Sequence, residues 1–174
     1  MTLSQEYPIK SKVVSAARFG LADKKSIIIM IFKDKGIIEK YENEIYPNIL
    51  VVAFGDLEQE VNKYYKPYDS DYNWIAKPRE IANAITYQIT DKKTLDNGLL
   101  VWFPSMDNYS TKTLCHESGH VALEMFAYIE EKLSTEYQEP FCYLLGYIGK
   151  CINNTYYKYK EYLEKQKEIN NPKE

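Results

Sequence analysis

From Ile45 onward, short apolar runs that are separated by polar and turn-forming residues predict strands. The segment IYPNILVVAF is rich in β-branched and aromatic residues and ends at Gly55, which predicts a strand with Pro47 at its edge or start. IANAITYQIT and GLLVWF predict two further strands, joined by DKKTLDN as an antiparallel hairpin in which Asn97-Gly98 supplies a residue that tolerates positive φ. These segments predict a small, mainly antiparallel sheet.

Three helices are predicted around these strands. A short helix covers about 56–65, where Asp56 and Gln59 match a capping box. A long helix runs over about 111–133, after the polar segment SMDNYST. A third helix covers about 136–153, preceded by a second capping-box pattern in TEYQ. Strands and helices of this kind predict an α+β fold.

The two ends of the chain are less regular. Within 1–43, SIIIMIF and GIIEKYENEI predict either a strand and a helix or one continuous helix that breaks near Gly36. Residues 154–174 are polar and mixed in charge, which predicts a helical extension or tail. The sequence therefore predicts a single domain over 1–153, followed by this extension.

Composition excludes several classes of protein. The 174 residues are 45% hydrophobic and 27% charged, as expected for one globular domain. The longest apolar run, Ile27–Phe32, is too short for a membrane helix, and the first residues lack the apolar region of a secretory signal. A net charge of -3 gives no electrostatic footprint for general nucleic-acid binding. We therefore expect a cytoplasmic protein without a membrane or nucleic-acid partner.

The motif most indicative of chemistry is HESGH in the long helix. His116 and His120 are the only histidines of the chain, and four residues apart they project from one helix face. Both imidazoles can therefore reach one metal ion, and Glu117 beside them can hydrogen-bond a water at that metal. Chance would produce this HExxH pattern in roughly one such chain in a thousand.

The periodicity around this motif predicts a central helix. Each of its faces carries apolar residues. His116, His120, Leu123 and Ala127 share one face, and Leu114, Ser118, Val121, Met125 and Ile129 share the opposite one. Burying two histidines and a glutamate is costly unless they are paired or bind a metal. Gly119 costs about 1 kcal/mol of helix propensity relative to alanine, so we expect either a close backbone approach or packing there.

A zinc site normally has a third protein ligand. Glu139 is a candidate because it begins the next helix, which a short connection would fold back beside the first. It lies opposite an apolar stripe assigned to the core: Phe141, Leu144, Leu145, Ile148 and Ile152. The alternative is a first-turn carboxylate that stabilises the helix dipole. Tyr143 and Tyr147, one and two turns further on, could donate to a developing oxyanion or simply pack.

The three cysteines are odd in number and form no CxxC, which favours reduced thiols over a disulfide scaffold. Cys115 points about 100° away from His116 on a helix, so we expect a small buried residue. Cys142 and Cys151 are expected to pack on the third helix. A structural zinc site formed by both histidines and one of these thiols stays open as an alternative.

HExxH followed by a glutamate on the next helix resembles the gluzincin pattern of the zincin metallopeptidases. TLCHESGHVALEMFAYIEEKLSTEYQEPFCYLLGYIGKC resembles more closely still small, uncharacterised zincin-like proteins of phages and mobile elements of gut bacteria. In that family a strand similar to EIYPNILVVAFG, and then GLLVWF, precede HExxH and a QEP-aromatic-x-YLxGYI segment. The resemblance covers roughly 44–153 and is specific mainly after Thr111.

This resemblance implies a minimal zincin-like domain that hydrolyses peptide bonds. It implies one Zn2+ per chain held by His116, His120 and Glu139, with Glu117 as the catalytic base. Tyr143 stands where gluzincins have an aspartate that orients a histidine. The substrate, a peptide or protein, would pair with an edge strand beside the helix, and the candidates for that strand are Leu100, Val101, Trp102 and Phe103.

A zincin-shaped binding module without peptidase activity is the alternative function. It would be metal-stabilised or metal-free and would act on a host or phage partner. The chain is short for a protease, and no histidine beyond HExxH is present to assist as an acid or oxyanion donor.

Overall fold

The computed structural model of this chain describes residues 28–33, 35–42, 46, 48–69, 71, 73–78 and 82–170. Within them the chain forms six strands and three α-helices. The strands are β1 (Ile28–Phe32), β2 (Gly36–Tyr41), β3 (Ile49–Gly55), β4 (Tyr65–Pro67), β5 (Ile85–Asp91) and β6 (Asn97–Phe103). The helices are α1 (Glu58–Tyr64), α2 (Thr111–Tyr128) and α3 (Glu139–Asn170).

The strands form one sheet in the order β1-β2-β3-β6-β5-β4. Every neighbouring pair is antiparallel except β3 and β6, which are parallel. The predicted hairpin of β5 and β6 is confirmed, with Ile85 opposite Trp102 and Gln88 opposite Leu99. The α+β class and the mainly antiparallel sheet are therefore confirmed.

Both faces of the central strands are buried. Because successive strand residues point to opposite faces, each strand contributes to two separate apolar clusters. The cluster toward α2 and α3 contains Leu50, Val52, Phe54, Leu99, Val101 and Phe103. The cluster toward α1 contains Ile49, Val51, Ala53, Leu100 and Trp102. The sheet is thus the middle layer of three, and α2 lies against one of its faces.

The first described segment departs from the sequence prediction. β1 (Ile28–Phe32) and β2 (Gly36–Tyr41) pair as an antiparallel hairpin. The strand predicted for SIIIMIF is therefore confirmed over Ile28–Phe32, and both the helix predicted for GIIEKYENEI and the single continuous helix are wrong over Gly36–Tyr41. All six residues of β2 are buried, including Glu39 and Lys40. A glutamate and a lysine in an apolar run suggest the polar side of a helix. In the fold Glu39 pairs with Lys158 and Lys40 pairs with Asp91. These tertiary contacts override the local helical pattern.

The predicted cap of α1 and the predicted β5–β6 turn both differ from the structure. α1 has Leu57 at its N-cap without a side-chain hydrogen bond, so Asp56 does not form the expected capping box. In the β5–β6 turn the positive φ falls on Leu95, at 65°, and not on Asn97-Gly98. Gly98 is required for another reason, because a Cβ there would lie 2.3 Å from the carbonyl oxygen of Ile49. Pro47 lies outside the described residues.

α2 begins at Thr111 as predicted but ends at Tyr128, five residues before the expected end. Glu130 has a φ of 57°, the left-handed conformation that ends a helix. The Glu131 N–H donates to the Phe126 carbonyl at 2.9 Å, and the Glu130 N–H donates to the Ala127 carbonyl at 3.1 Å. This is a Schellman motif without glycine, so no glycine marks the stop in the sequence.

α3 begins at Glu139, three residues after its predicted start, and continues to Asn170. The Ser134 hydroxyl accepts from the N–H of Glu136 at 3.1 Å and holds the preceding segment in a turn. The first intrahelical bond runs from the Cys142 N–H to the Gln138 carbonyl at 3.0 Å. The predicted C-terminal extension is helical and continuous with α3 through Asn170. None of the described helices combines the length and apolar character needed to cross a membrane.

Candidate active site

α2 is positioned by its cap and by one apolar face. The Ser110 hydroxyl accepts from the Thr113 N–H at 3.1 Å and begins the helix. Val121 and Met125 are buried against the sheet, whereas Leu123 on the histidine side is 48% exposed. The expectation that both faces are covered is therefore wrong. The histidine face of α2 is open to solvent, and both imidazoles are exposed. The free-energy cost of burying them, which a bound metal was expected to offset, therefore does not arise.

The two histidines converge on one point. Their Nε2 atoms are 3.2 Å apart, and the rings are nearly perpendicular, with centroids 4.7 Å apart. Two nitrogens bound tetrahedrally to one Zn2+ at about 2.05 Å lie about 3.3 Å from each other. The pair therefore has the spacing that one zinc ion requires. The same distance also suits a hydrogen bond from one imidazole to the other.

Glu117 lies beside this pair but is buried, with only 4% of its surface exposed. Its Oε2 accepts a hydrogen bond of 2.8 Å from the Thr86 hydroxyl on β5. Two residues further along the same strand, Gln88 donates to Glu124 Oε2 at 2.6 Å. Alternate side chains of β5 thus contact two carboxylates of α2, and the Thr86 hydroxyl orients that of Glu117.

An open cavity of about 240 Å³ separates β5 from α2. Its lining residues come from both elements and from β6: Ala84, Ile85, Thr86, Gln88, Leu99, His116, Glu117, His120 and Glu124. The HExxH motif of α2 is readable in the sequence, whereas the polar residues that face it are not among the predicted site residues. The signals were present, since Thr86 and Gln88 alternate with apolar residues and Glu124 lies one turn after His120.

Glu139 is not brought to the histidine pair. α3 runs antiparallel to α2, as two contacts show. Phe141, near the start of α3, packs on Phe126, near the end of α2, with ring centroids 5.3 Å apart. Further along α3, Asn153 accepts from the hydroxyl of Tyr109, which lies just before α2, at 2.6 Å. In this register Glu139 lies level with Tyr128 of α2, eight residues past His120. Eight residues of helix span about 12 Å. Among the described residues, no three His, Cys, Asp or Glu side chains form a group that could hold a metal.

The remaining candidates on α3 lie outside the cavity. Tyr143 is 75% exposed. Tyr147 is half-buried against the α2–α3 core, where burial raises its pKa above the ordinary value for a phenol. Neither lines the cavity beside the histidines.

The cysteines and Gly119 also differ from expectation. Cys115 and Cys142 are exposed, whereas Cys151 is buried in the core as predicted. The helix therefore turns Cys115 outward to solvent instead of into the core. At Gly119 a Cβ would meet no atom of the described residues within 4 Å, so no close backbone approach among them requires the glycine.

The predicted edge strand is in the sheet interior. Leu100 to Phe103 pair with β3 on one side, and β5 pairs with the same strand through Trp102 on the other. The assignment of these residues to an edge is therefore wrong. Its cause is the parallel pairing of β3 with β6, which joins segments more than forty residues apart and leaves no local mark in the sequence.

An open strand edge does border the cavity, but it belongs to β5. β4 pairs only with the end of β5, from Ile89 to Asp91. Within the part of the chain that the structure describes, no strand pairs with the outer side of Ile85 and Thr86. The backbone there can accept an added strand.

Comparisons with protein-family models, with curated proteins and with solved structures found no match to this chain. The side chains of the cavity indicate what it can do. Two converging imidazoles can bind a divalent metal, a buried carboxylate can accept a proton, and an open strand edge can pair with an extended peptide.

Proposed function

We propose that this chain is a metal-dependent hydrolase of peptide bonds, with its centre at His116 and His120. The observation that carries the proposal is the 3.2 Å separation of the two Nε2 atoms beside the buried Glu117. Zn2+ is the expected metal, since imidazole nitrogens at tetrahedral spacing suit it. The two histidines fit that ion, and they would be two of its ligands.

Each group of the cavity has a role in this proposal. When bound, Zn2+ would supply a Lewis acid that polarises a carbonyl and makes water more acidic. Glu117 would accept the proton of the attacking water as general base. Thr86 donates to one oxygen of that carboxylate at 2.8 Å. It would hold the carboxylate in place while the carboxylate keeps further acceptor sites.

The substrate would lie along β5. An extended peptide that pairs with the outer edge of Ile85 and Thr86 would run beside the histidine face of α2, because both residues line the same cavity. Such backbone pairing supplies affinity with little dependence on sequence. Selectivity must then come from side-chain pockets in the groove.

A second candidate function is a peptide-binding module without hydrolytic activity. The position of Glu139 favours it, because two protein ligands are fewer than the three found in zinc hydrolases. In this alternative the same groove binds an extended segment of a partner protein, and the histidines hold a metal weakly or hydrogen-bond each other.

Zinc titration tests the metal site. Wild type should bind about one Zn2+ per chain, and His116→Ala and His120→Ala should each weaken binding by at least about tenfold. Glu139→Ala and Cys142→Ala are the comparison variants, and the geometry of α3 predicts unchanged affinity for both. A loss confined to Glu139→Ala would show that α3 rearranges around the metal. Wild type that takes up no zinc would refute the metal site.

Glu117→Gln tests the chemistry separately. The amide keeps the size of the side chain and can still accept from Thr86, but it cannot take a proton at neutral pH. Zinc content and melting temperature should stay near wild type, while peptide cleavage falls by at least about 100-fold. Equal cleavage by the two proteins would exclude Glu117 as the base. Zinc binding without cleavage of a broad peptide library would favour the binding module.

A further inference from the structure

A second cavity continues the groove toward the C-terminus of α2. Its volume is about 230 Å³. It shares Gln88, Leu99 and Glu124 with the cavity beside the histidines, so the two are adjacent. This volume is below the range of about 300–1,000 Å³ typical of small-molecule and cofactor sites. It suits a single side chain of a peptide that already occupies the groove.

One wall of this cavity carries a buried acceptor. Asn48, just before β3, is 6% exposed and lines the cavity. Its Oδ1 is buried and has no hydrogen-bond partner in the described part of the chain. A buried acceptor that is left unsatisfied costs about 1–3 kcal/mol. A ligand that donates a hydrogen bond here would remove that penalty.

The charge of the cavity is acidic. Glu124 contributes a carboxylate that accepts from Gln88 at 2.6 Å and, like any carboxylate, can accept further hydrogen bonds. Among the residues that the structure describes, none that lines this cavity is a lysine or an arginine. Tyr128 adds an aromatic ring, which also attracts cations. A donor with positive charge therefore complements the cavity better than an apolar or acidic group.

We propose that the cavity formed by Asn48, Glu124 and Tyr128 binds the side chain of a lysine or arginine of the peptide in the groove. The proposal rests on the proposed function in one respect, that a peptide lies along β5. It makes the protein selective for basic peptides. The carboxylate of Glu124 and the Oδ1 of Asn48 accept from the ammonium or guanidinium group.

Peptide binding to the Glu117→Gln variant tests this without requiring catalysis. The probes are pentapeptides of sequence Ala-Ala-X-Ala-Ala, in which X is arginine, lysine or norleucine. Norleucine has an unbranched apolar side chain close in length to that of lysine but without its charge. The arginine or lysine peptide should bind at least about tenfold more tightly than the norleucine peptide. It should also shift the side-chain amide signals of Asn48 in nitrogen-15 NMR spectra.

Two further variants in the same background locate the selectivity. Glu124→Gln should lose the preference for the basic peptides, since it removes the charge and keeps the size. Glu131→Gln removes an exposed carboxylate just beyond α2 and should keep the preference. Equal affinity for the three peptides, no binding of any of them, or a preference that survives Glu124→Gln would each overturn the proposal.

The outcome is separable from that of the proposed function. If the protein binds zinc and cleaves peptides without preference for basic residues, only the proposed binding of a basic side chain is refuted. If it binds basic peptides at Asn48 but takes up no zinc, only the proposed metal-dependent hydrolase activity is refuted.

Discussion

Two glycines show how residues of one type meet different demands. Gly98 is in β6, where a Cβ would lie 2.3 Å from atoms of Ile49 on the neighbouring strand. Gly119 is in the middle of α2, where a Cβ would meet nothing within 4 Å in the part of the chain that the structure describes. The first glycine permits a close backbone approach, whereas the second only lowers helix propensity. Sequence alone cannot separate these cases, because the contact at Gly98 comes from a distant strand.

Replacing each glycine by alanine should therefore have opposite effects. Gly119→Ala should raise the free energy of unfolding by about 0.5–1 kcal/mol, because it improves helix propensity without a clash. Gly98→Ala should lower the free energy of unfolding, because β3 and β6 would have to separate. Urea unfolding of both variants measures this directly. A destabilised Gly119→Ala would mean that another group occupies the space beside it.

At the scale of elements, the sequence predicts those helices and hairpins that depend on residues close together in the chain. The β5–β6 hairpin, the start of α2 and the apolar stripe of α3 follow from two strand-like runs joined by a turn segment, from the polar segment before the helix and from helical spacing. The pairing of β6 with β3 does not, because it depends on strands far apart in the chain. The same limit applies to the candidate site. HExxH is readable within one helix, but its partner Thr86 comes from β5.

α2 is terminated by a residue other than glycine in the left-handed conformation. Glu130 adopts a φ of 57°, which costs an L-residue with a side chain about 1–2 kcal/mol and costs glycine much less. Glu130→Gly should raise the free energy of unfolding by about 0.5–1 kcal/mol, after the greater chain entropy of glycine in the unfolded state is included. Thermal unfolding measures the change.

Glu131→Gly is the matched control for that variant. Glu131 is the next residue and is not among the described residues with positive φ. Glycine there only adds entropy to the unfolded state, so this variant should be no more stable than wild type. Stabilisation of both variants would point to the loss of negative charge and not to the helix cap.

Across the whole molecule, buried charges on β2 connect the sheet to its surroundings. On one face Glu39 accepts from the Thr155 hydroxyl at 3.0 Å and from the Lys158 ammonium, both on α3. On the other face Lys40 donates to Asp91 at 3.0 Å, at the far end of β5. Since β5 also forms a wall of the candidate site, this ion pair connects β2 with the strand that holds Thr86.

The ion pair of Lys40 and Asp91 makes the stability of the fold depend on pH. Burial alone would raise the pKa of Asp91, but hydrogen bonds from the Lys93 N–H and the Lys40 ammonium together hold that pKa below its ordinary value of 3.8. The folded state therefore binds the proton less tightly than the unfolded chain. The stabilisation is complete above the unfolded pKa and is lost as the pH falls through the folded pKa.

Asp91→Asn removes this carboxylate and leaves Lys40 buried without its main partner, so the free energy of unfolding at pH 7 should fall by about 3 kcal/mol. The difference from wild type should shrink as the pH is lowered from about 5 to below 3, because wild type then loses the same interaction. Urea unfolding across that range measures both effects. Asp107→Asn, which alters an exposed carboxylate, should follow wild type throughout. A difference between wild type and Asp91→Asn that stays constant down to pH 2 would show that ionisation of Asp91 does not stabilise the fold.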